Sequence, residues 1–200
     1  LAKRLAFFDA ETRRGHFHAR NSDHGAFDLA GRTALVVGVG RTGRQLIPRL
    51  RAFGVRVIAA DPMLDAATAS ALDCERVVDF RSALGEADIL SVHVPFTPET
   101  RHLIGARELG ALKPGAMIIN CARGGIVDEA ALVAAIDDGH ISGAGTDVFA
   151  VEPPPADHPF FARDRILVTP HPAATTAEAL ERMAEATARN LLSVLKPDRT

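Results

Sequence analysis

Thr33 to Val39 is a continuous apolar run with β-branched residues. It ends in Gly38-Val39-Gly40-Arg41-Thr42-Gly43, which opens a segment, Arg41 to Phe53, with Leu46, Ile47, Leu50 and Phe53 on one helical side. Uninterrupted apolar runs fit strands buried on both faces of a parallel sheet. Few folds join such a strand to an amphipathic helix through three glycines. Gly38 permits the tight turn, Gly40 has no side chain to keep the backbone from a pyrophosphate, and Gly43 lets helix and strand pack closely. The amides at the helix start then face the anion. Three glycines at this spacing are common in isolation; the strand before and the helix after supply the context. The next apolar run, Val55 to Ala60, ends at Asp61, 18 residues past Gly43. That is close to the ~20 residues expected for an acid that accepts the ribose hydroxyls. A carboxylate there repels the extra phosphate of NADP, and Pro62 follows in place of an arginine. NAD is the expected cofactor.

Further runs at Ile89 to Val94, Ala116 to Asn120, Gly143 to Val148 and Ile166 to Val168 read as buried strands. Helices are expected between them, around Phe80 to Leu84, Ala106 to Leu112 and Asp128 to Asp138. Thr175 or Thr176 caps a last helix, from about Thr176 to Leu195. The alternation predicts an α/β fold, a Rossmann-type doubly wound parallel sheet with helices on both faces. Pro48 conflicts with its helix, and a kink or a late helix start would absorb it. Leu1 to Arg14 has helical spacing, and Gly15 to Gly31 reads as a polar loop. Charged residues are 24% of the chain and the net charge is −2, so nothing draws it to nucleic acid or to an acidic membrane. No apolar stretch is long enough to span a bilayer. Cys74 and Cys121 form no CxxC pair, the N-terminal residues lack a signal-peptide layout, and a reducing, cytoplasmic setting is expected.

A dinucleotide turn names a cofactor and leaves the reaction open. Three later segments supply chemistry, each just beyond a strand's carboxyl end, where open parallel sheets hold ligands. Arg123 follows Ala116 to Asn120, Glu152 follows Gly143 to Val148, and His171 follows Ile166 to Val168. Arg123 offers a planar fork to a substrate carboxylate and can polarise a neighbouring carbonyl. His171 can protonate a carbonyl oxygen and take the proton back in reverse. Glu152 can hold the imidazole and favour its charged form. Each residue alone has a bland reading, as a solvated arginine, a rigid loop histidine or a surface carboxylate. Their joint placement on successive strand ends favours reduction of a 2-oxo acid, with no metal required because the cofactor carries the hydride.

With these segments in view the chain resembles the D-isomer-specific 2-hydroxyacid dehydrogenases. The likeness runs from about Leu1 to Leu195 and rests on VGVGRTG, HVPFTPET (93–100), KPGAMIINCARGGIVDE (113–129), GAGTDVFAVEPP (143–154) and TPHPAATTAEA (169–179). The NCARGGIVDE stretch is similar to that of phosphoglycerate dehydrogenases but names no substrate. The resemblance implies a hydride-transferring enzyme in which Arg123 binds substrate, Glu152 pairs with histidine and His171 donates the proton. It adds Asp147 as partner of the nicotinamide carboxamide and Arg41 and Thr42 at the pyrophosphate. It also implies that Val94 and Cys121, Ala122 and Arg123 line the cofactor cleft, with His171 to Ala174 along the nicotinamide side. Thr146, Pro172 and Pro48 depart from the family pattern, and Pro172 raises the prospect of a tilted imidazole. Glutamate at 152 argues against the formate dehydrogenase branch, and the absence of tryptophan against the corepressor relatives.

Members of the family carry a second, substrate-binding domain. The chain therefore reads as one part of a longer protein: 1–31 an interdomain helix and loop, 32–175 the NAD-binding domain, and 176–200 a helix returning toward the second domain. Leu1 to Arg14 has an apolar side that an isolated domain would expose, and since this region contributes to dimers in the family, the resemblance implies a homodimer. His16, His18 and His24 lie in a polar loop without supporting carboxylates or cysteines, so no metal site is expected. His93 and His102 read as packing residues, and His140 and His158 as surface residues. Cys121 lacks an activating base. The competing function is an NAD-sensing interaction protein of the corepressor type, without turnover.

Overall fold

The computed structural model describes residues 1–22 and 25–195. Seven strands alternate with helices: β1 (Thr33–Val37), β2 (Arg56–Ala60), β3 (Glu75–Val77), β4 (Ile89–Val92), β5 (Ala116–Asn120), β6 (Ile141–Thr146) and β7 (Ile166–Val168). They form one parallel sheet in the order β3-β2-β1-β4-β5-β6-β7. The chain winds outward from β1 to β3, then crosses back and winds the other way from β4 to β7. The reversal lies between β1 and β4, and an open sheet of this kind leaves its crevice at their carboxyl ends.

Alternation along β1 divides the core. Ala34 and Val36 face a layer that includes Ile47 and Ala69, while Leu35 and Val37 face a layer that includes Leu84, Leu109 and Ile136. The first layer is covered by α2 (Arg41–Ala52) and α3 (Ala66–Ala71), the second by α4 (Ala106–Ala111), α5 (Glu129–Asp137) and a 3-10 helix (Phe80–Glu86). The doubly wound sheet is therefore as expected. Two elements had no strong sequence signal. β3 is three residues, Glu-Arg-Val, on a sheet edge, and α3 is an alanine-rich turn and a half capped by Asp65, whose carboxylate accepts from Thr68 N. Pro48 sits inside a continuous α2 and is exposed, so its missing N–H costs one bond on the solvent side and the helix begins on time at Arg41.

The terminal helices stand outside the core. Neither α1 (Leu5–Arg13) nor α6 (Ala177–Leu195) has a buried residue. Leu1, just before α1, lies against β6, where a side chain on Gly145 would meet it. Thr176 caps α6 through Ala179 N. Residues 196–200 of the expected terminal segment, and His24, lie outside the described residues. No helix among the described residues is long and apolar enough to cross a membrane.

Candidate active site

The glycine turn occupies the crevice between β1 and β4. Gly38 has φ +95°, and a Cβ there would stand 2.7–2.9 Å from the His93–Val94 peptide. A Cβ on Gly43 would stand 2.2 Å from the Gly38 carbonyl oxygen. These two glycines are demanded by the fold itself. Gly40 is different: a Cβ there would meet no atom within 4 Å. It opens onto a cleft of about 660 Å³ lined by Arg41, Thr42, Val94, Cys121, Ala122 and Arg123 as well. A cradle without a side chain beside a helix start, with the turn's backbone bare, fits a dinucleotide pyrophosphate. The Asp61 carboxylate accepts from Val39 N at 2.7 Å and from Met63 N at 2.7 Å, so it is already fixed at the end of β2 beside the turn.

Arg123 lies across the cleft from this turn. Asn120, at the end of β5, shapes its loop, donating to the Arg123 carbonyl at 3.0 Å and accepting from Ala122 N at 3.1 Å. Arg123 itself is exposed and donates to the Ala122 carbonyl at 2.6 Å. Gly124 presses on the loop after β6: a Cβ there would fall 1.8 Å from the Phe149 carbonyl oxygen. That loop carries Glu152, whose Oε1 accepts from Phe149 N at 3.0 Å and whose Oε2 is 2.9 Å from His171 Nδ1. The His171 bond, then the Phe149 N–H and the charges of His171 and Arg123, hold the Glu152 carboxyl below the usual carboxylate range. Arg123, Glu152 and His171 thus border one cavity of about 460 Å³, which Arg101 and His102 also line. The imidazole meets Glu152 despite the following Pro172. With Nδ1 held by a carboxylate, Nε2 is the nitrogen left to exchange a proton.

His171 adopts φ +58°, a left-handed conformation that side chains resist. Asp147, 4% exposed, sits beneath it and binds both flanks of the turn. Its Oδ1 accepts from Thr169 Oγ1, and its Oδ2 from Ala173 N at 3.1 Å. Asp147 and Ala174 are not among the residues that border the two cavities. Thr146 is buried with its polar group satisfied: its hydroxyl donates to the Val148 carbonyl at 2.7 Å. Burial and the Asp147 charge push the Cys121 thiol up, away from a thiolate nucleophile.

Two histidines correct the sequence reading. His158 is not a surface residue: it is 9% exposed, packed among Phe149, Phe160 and Phe161, with Nε2 3.3 Å from Glu129 Oε2. The neighbouring phenylalanines were the available signal for that burial. His140 is half-buried with Nε2 enclosed. His93 is partly buried against Ser91, its Nε2 2.9 Å from Ser91 Oγ, and burial pulls its pKa down. His16 pairs with Glu11 at 2.8 Å, and among the described residues no group of three potential metal ligands comes together. Gly124, Glu129 and Thr169 were visible in the motifs, but their partners lie far away in sequence.

Known proteins are similar to this chain over most of its length. A D-3-phosphoglycerate dehydrogenase of Mycobacterium leprae is 45% identical over 90% of this chain and 34% of its own length. A glyoxylate reductase of Thermococcus litoralis is 37% identical over 98% of this chain and 60% of its own. The chain thus spans about a third of the phosphoglycerate dehydrogenases it matches. Among solved structures, D-lactate dehydrogenase from Aquifex aeolicus, complexed with NAD and lactic acid, superposes with a TM-score of 0.88 at 30% identity, covering 99% of this chain and 63% of that one. A glyoxylate reductase from Paecilomyes thermophila gives 0.89 at 29% identity, covering 98% and 58%. The sequence model described as "D-isomer specific 2-hydroxyacid dehydrogenase, NAD binding domain" matches residues 1–173. With its glycine cradle, switch-point crevice and strand-end residues, the chain belongs to the D-isomer-specific 2-hydroxyacid dehydrogenase family, as its NAD-binding domain.

Proposed function

We propose that the full protein is a D-2-hydroxyacid dehydrogenase that interconverts a 2-oxo acid and the D-2-hydroxy acid at the expense of NADH and NAD. The observation that carries this reading is the His171–Glu152 pair at 2.9 Å, bordering the same cavity as Arg123. Bound NADH supplies the hydride. Arg123 receives the substrate carboxylate and draws electron density from the adjacent carbonyl. His171 gives the Nε2 proton to the carbonyl oxygen, and Glu152 stabilises the imidazolium and orients the ring. Gly38, Gly40, Arg41, Thr42 and Gly43 receive the pyrophosphate and Asp61 the ribose hydroxyls. Val94, Cys121 and Ala122 line the cleft, with Asp147 and Ala174 on the nicotinamide side.

Segments 1–31 and 176–200 are proposed to join domain 32–175 to a substrate-binding domain, and α1 to contribute to a homodimer. Its Leu5 is 73% exposed, in keeping with a surface that a partner covers. The test is NADH oxidation by the full-length protein with a panel of 2-oxo acids, beside a His171→Ala variant. Turnover that falls by about 10²–10⁴-fold in the variant is the expected result. NADH binding with no acid reduced by the wild type would favour a cofactor-sensing role.

A further inference from the structure

The loop between β6 and β7 is held from beneath by groups that never reach the substrate cavity. Glu129, the first residue of α5, has its carboxylate free because Asp128 already caps the helix through Ala130 N and Ala131 N. Glu129 instead reaches across to the loop, where Oε1 accepts from Ala150 N at 2.7 Å. Its other oxygen lies 3.3 Å from Nε2 of the buried His158. His158 Nδ1 accepts from Phe160 N at 3.3 Å, so Nε2 carries a proton and donates it to Glu129. Successive amides of one loop are therefore taken by two carboxylates, Phe149 N by Glu152 and Ala150 N by Glu129. The peptide between them is the one that Gly124 presses against, one residue from Arg123. A polar pair inside an aromatic cluster adds little to packing. It does fix where one peptide sits between the two halves of the site.

We propose that Glu129 and His158 are positioning residues: through the Phe149–Ala150 peptide they hold the Glu152 loop in register with Arg123 and His171. The proposal rests on the dehydrogenase reading above. Glu152 is faced by the His171 imidazole and the Arg123 guanidinium, and Glu129 by His158. Misplacing a reacting group by an ångström costs up to about 100-fold in rate.

The test uses the full-length protein with Glu129→Ala and Glu129→Gln. In Glu129→Ala, kcat for the reduced acid should fall about 10- to 100-fold, while NADH affinity stays unchanged. Glu129→Gln, which keeps an oxygen for Ala150 N–H but sets its amide N–H against the His158 donor, should recover part of the loss. His158→Phe keeps a ring in the cluster while removing the Nε2 donor and the Nδ1 acceptor of Phe160 N; it should move kcat in the same direction by less, and it replaces Glu129→Ala if that variant fails to fold. Wild-type kcat in folded Glu129→Ala or, in its stead, in folded His158→Phe overturns the proposal. So does equal loss in both Glu129 variants accompanied by lower melting temperatures, which is the behaviour of a purely structural pair. A carboxyl-carbon NMR titration of Glu152 reads the same loop without turnover. Its carboxyl should move up toward the ordinary range in Glu129→Ala, or in His158→Phe where that stands in, and an unmoved titration overturns the proposal. A wild type that reduces no acid, with the titration shift present, would defeat the dehydrogenase reading and leave the positioning role standing.

Discussion

His171 shows how a single residue's geometry is maintained against its own preference. A non-glycine residue at φ +58° stores about 1–3 kcal/mol and persists only where neighbours over-determine it. The Asp147 carboxylate does so by binding Thr169 Oγ1 and Ala173 N on either side of the turn. Thr169→Val removes one donor from a buried carboxylate, at a cost of about 1–3 kcal/mol. The melting temperature and kcat should both drop, and a variant unchanged in both would show that the turn does not depend on this clamp. Glu152 holds the ring itself, with Oε2 2.9 Å from His171 Nδ1. Its carboxyl is depressed first by the His171 bond and then by Phe149 N–H, so it stays ionised through the neutral range. Glu152→Gln deletes that charge. For the proposed reduction kcat should fall in this variant; an unchanged kcat would remove Glu152 from the proposed proton-donating pair.

The glycine turn between β1 and α2 separates fold from binding at the scale of an element. Gly43→Ala places a Cβ 2.2 Å from the Gly38 carbonyl, so the helix must back away from the strand, at about 1–3 kcal/mol. Gly40 has φ −72° and open space beside it, so Gly40→Ala should leave unfolding free energy within about 0.5 kcal/mol of wild type. On the proposed placement of the pyrophosphate its methyl group narrows the approach, so NADH affinity should weaken in Gly40→Ala. Thermal melts and NADH titrations of both variants check the pair, and a Gly40→Ala protein with unaltered affinity would put the pyrophosphate elsewhere. Strands and helices flanking this turn were legible because long apolar runs and 3.6-residue spacing are local signals. β5 and β7 lie where the apolar runs indicated, while β6 starts and stops two residues earlier, its Ile141 being a buried residue beside the polar His140 and Ser142. β3 escaped because a short edge strand is defined by its partner β2 more than by its own side chains.

Across the whole molecule, the end of the sheet opposite the site is tied by one carboxylate. Asp88, at the entry to β4, accepts from Thr33 N at 2.8 Å and Lys113 Nζ at 3.1 Å and lies 3.5 Å from Arg32. Burial pushes its pKa up, but Thr33 N–H, Lys113 and Arg32 outweigh burial and the net shift is downward. A depressed carboxyl contributes stability that is complete above its unfolded value, ~3.9, and lost as pH falls through its folded value. Asp88→Asn should therefore be less stable than wild type near neutrality and approach it as acid protonates the wild-type carboxylate; chemical denaturation across pH measures this, and a constant difference would contradict it. The amino-acid sequence alone determined the alternation of strands and helices, the cofactor turn with Asp61, and the candidate trio of Arg123, Glu152 and His171, because each depends on local periodicity or on residue type beyond a strand end. Only the tertiary structure decided that Gly124 abuts Phe149, that Asp147 braces a strained His171, and that His158 is buried against Glu129. Those contacts join residues 22–29 positions apart, and loops from β5, β6 and β7 meet only once the strands have taken their places in the sheet.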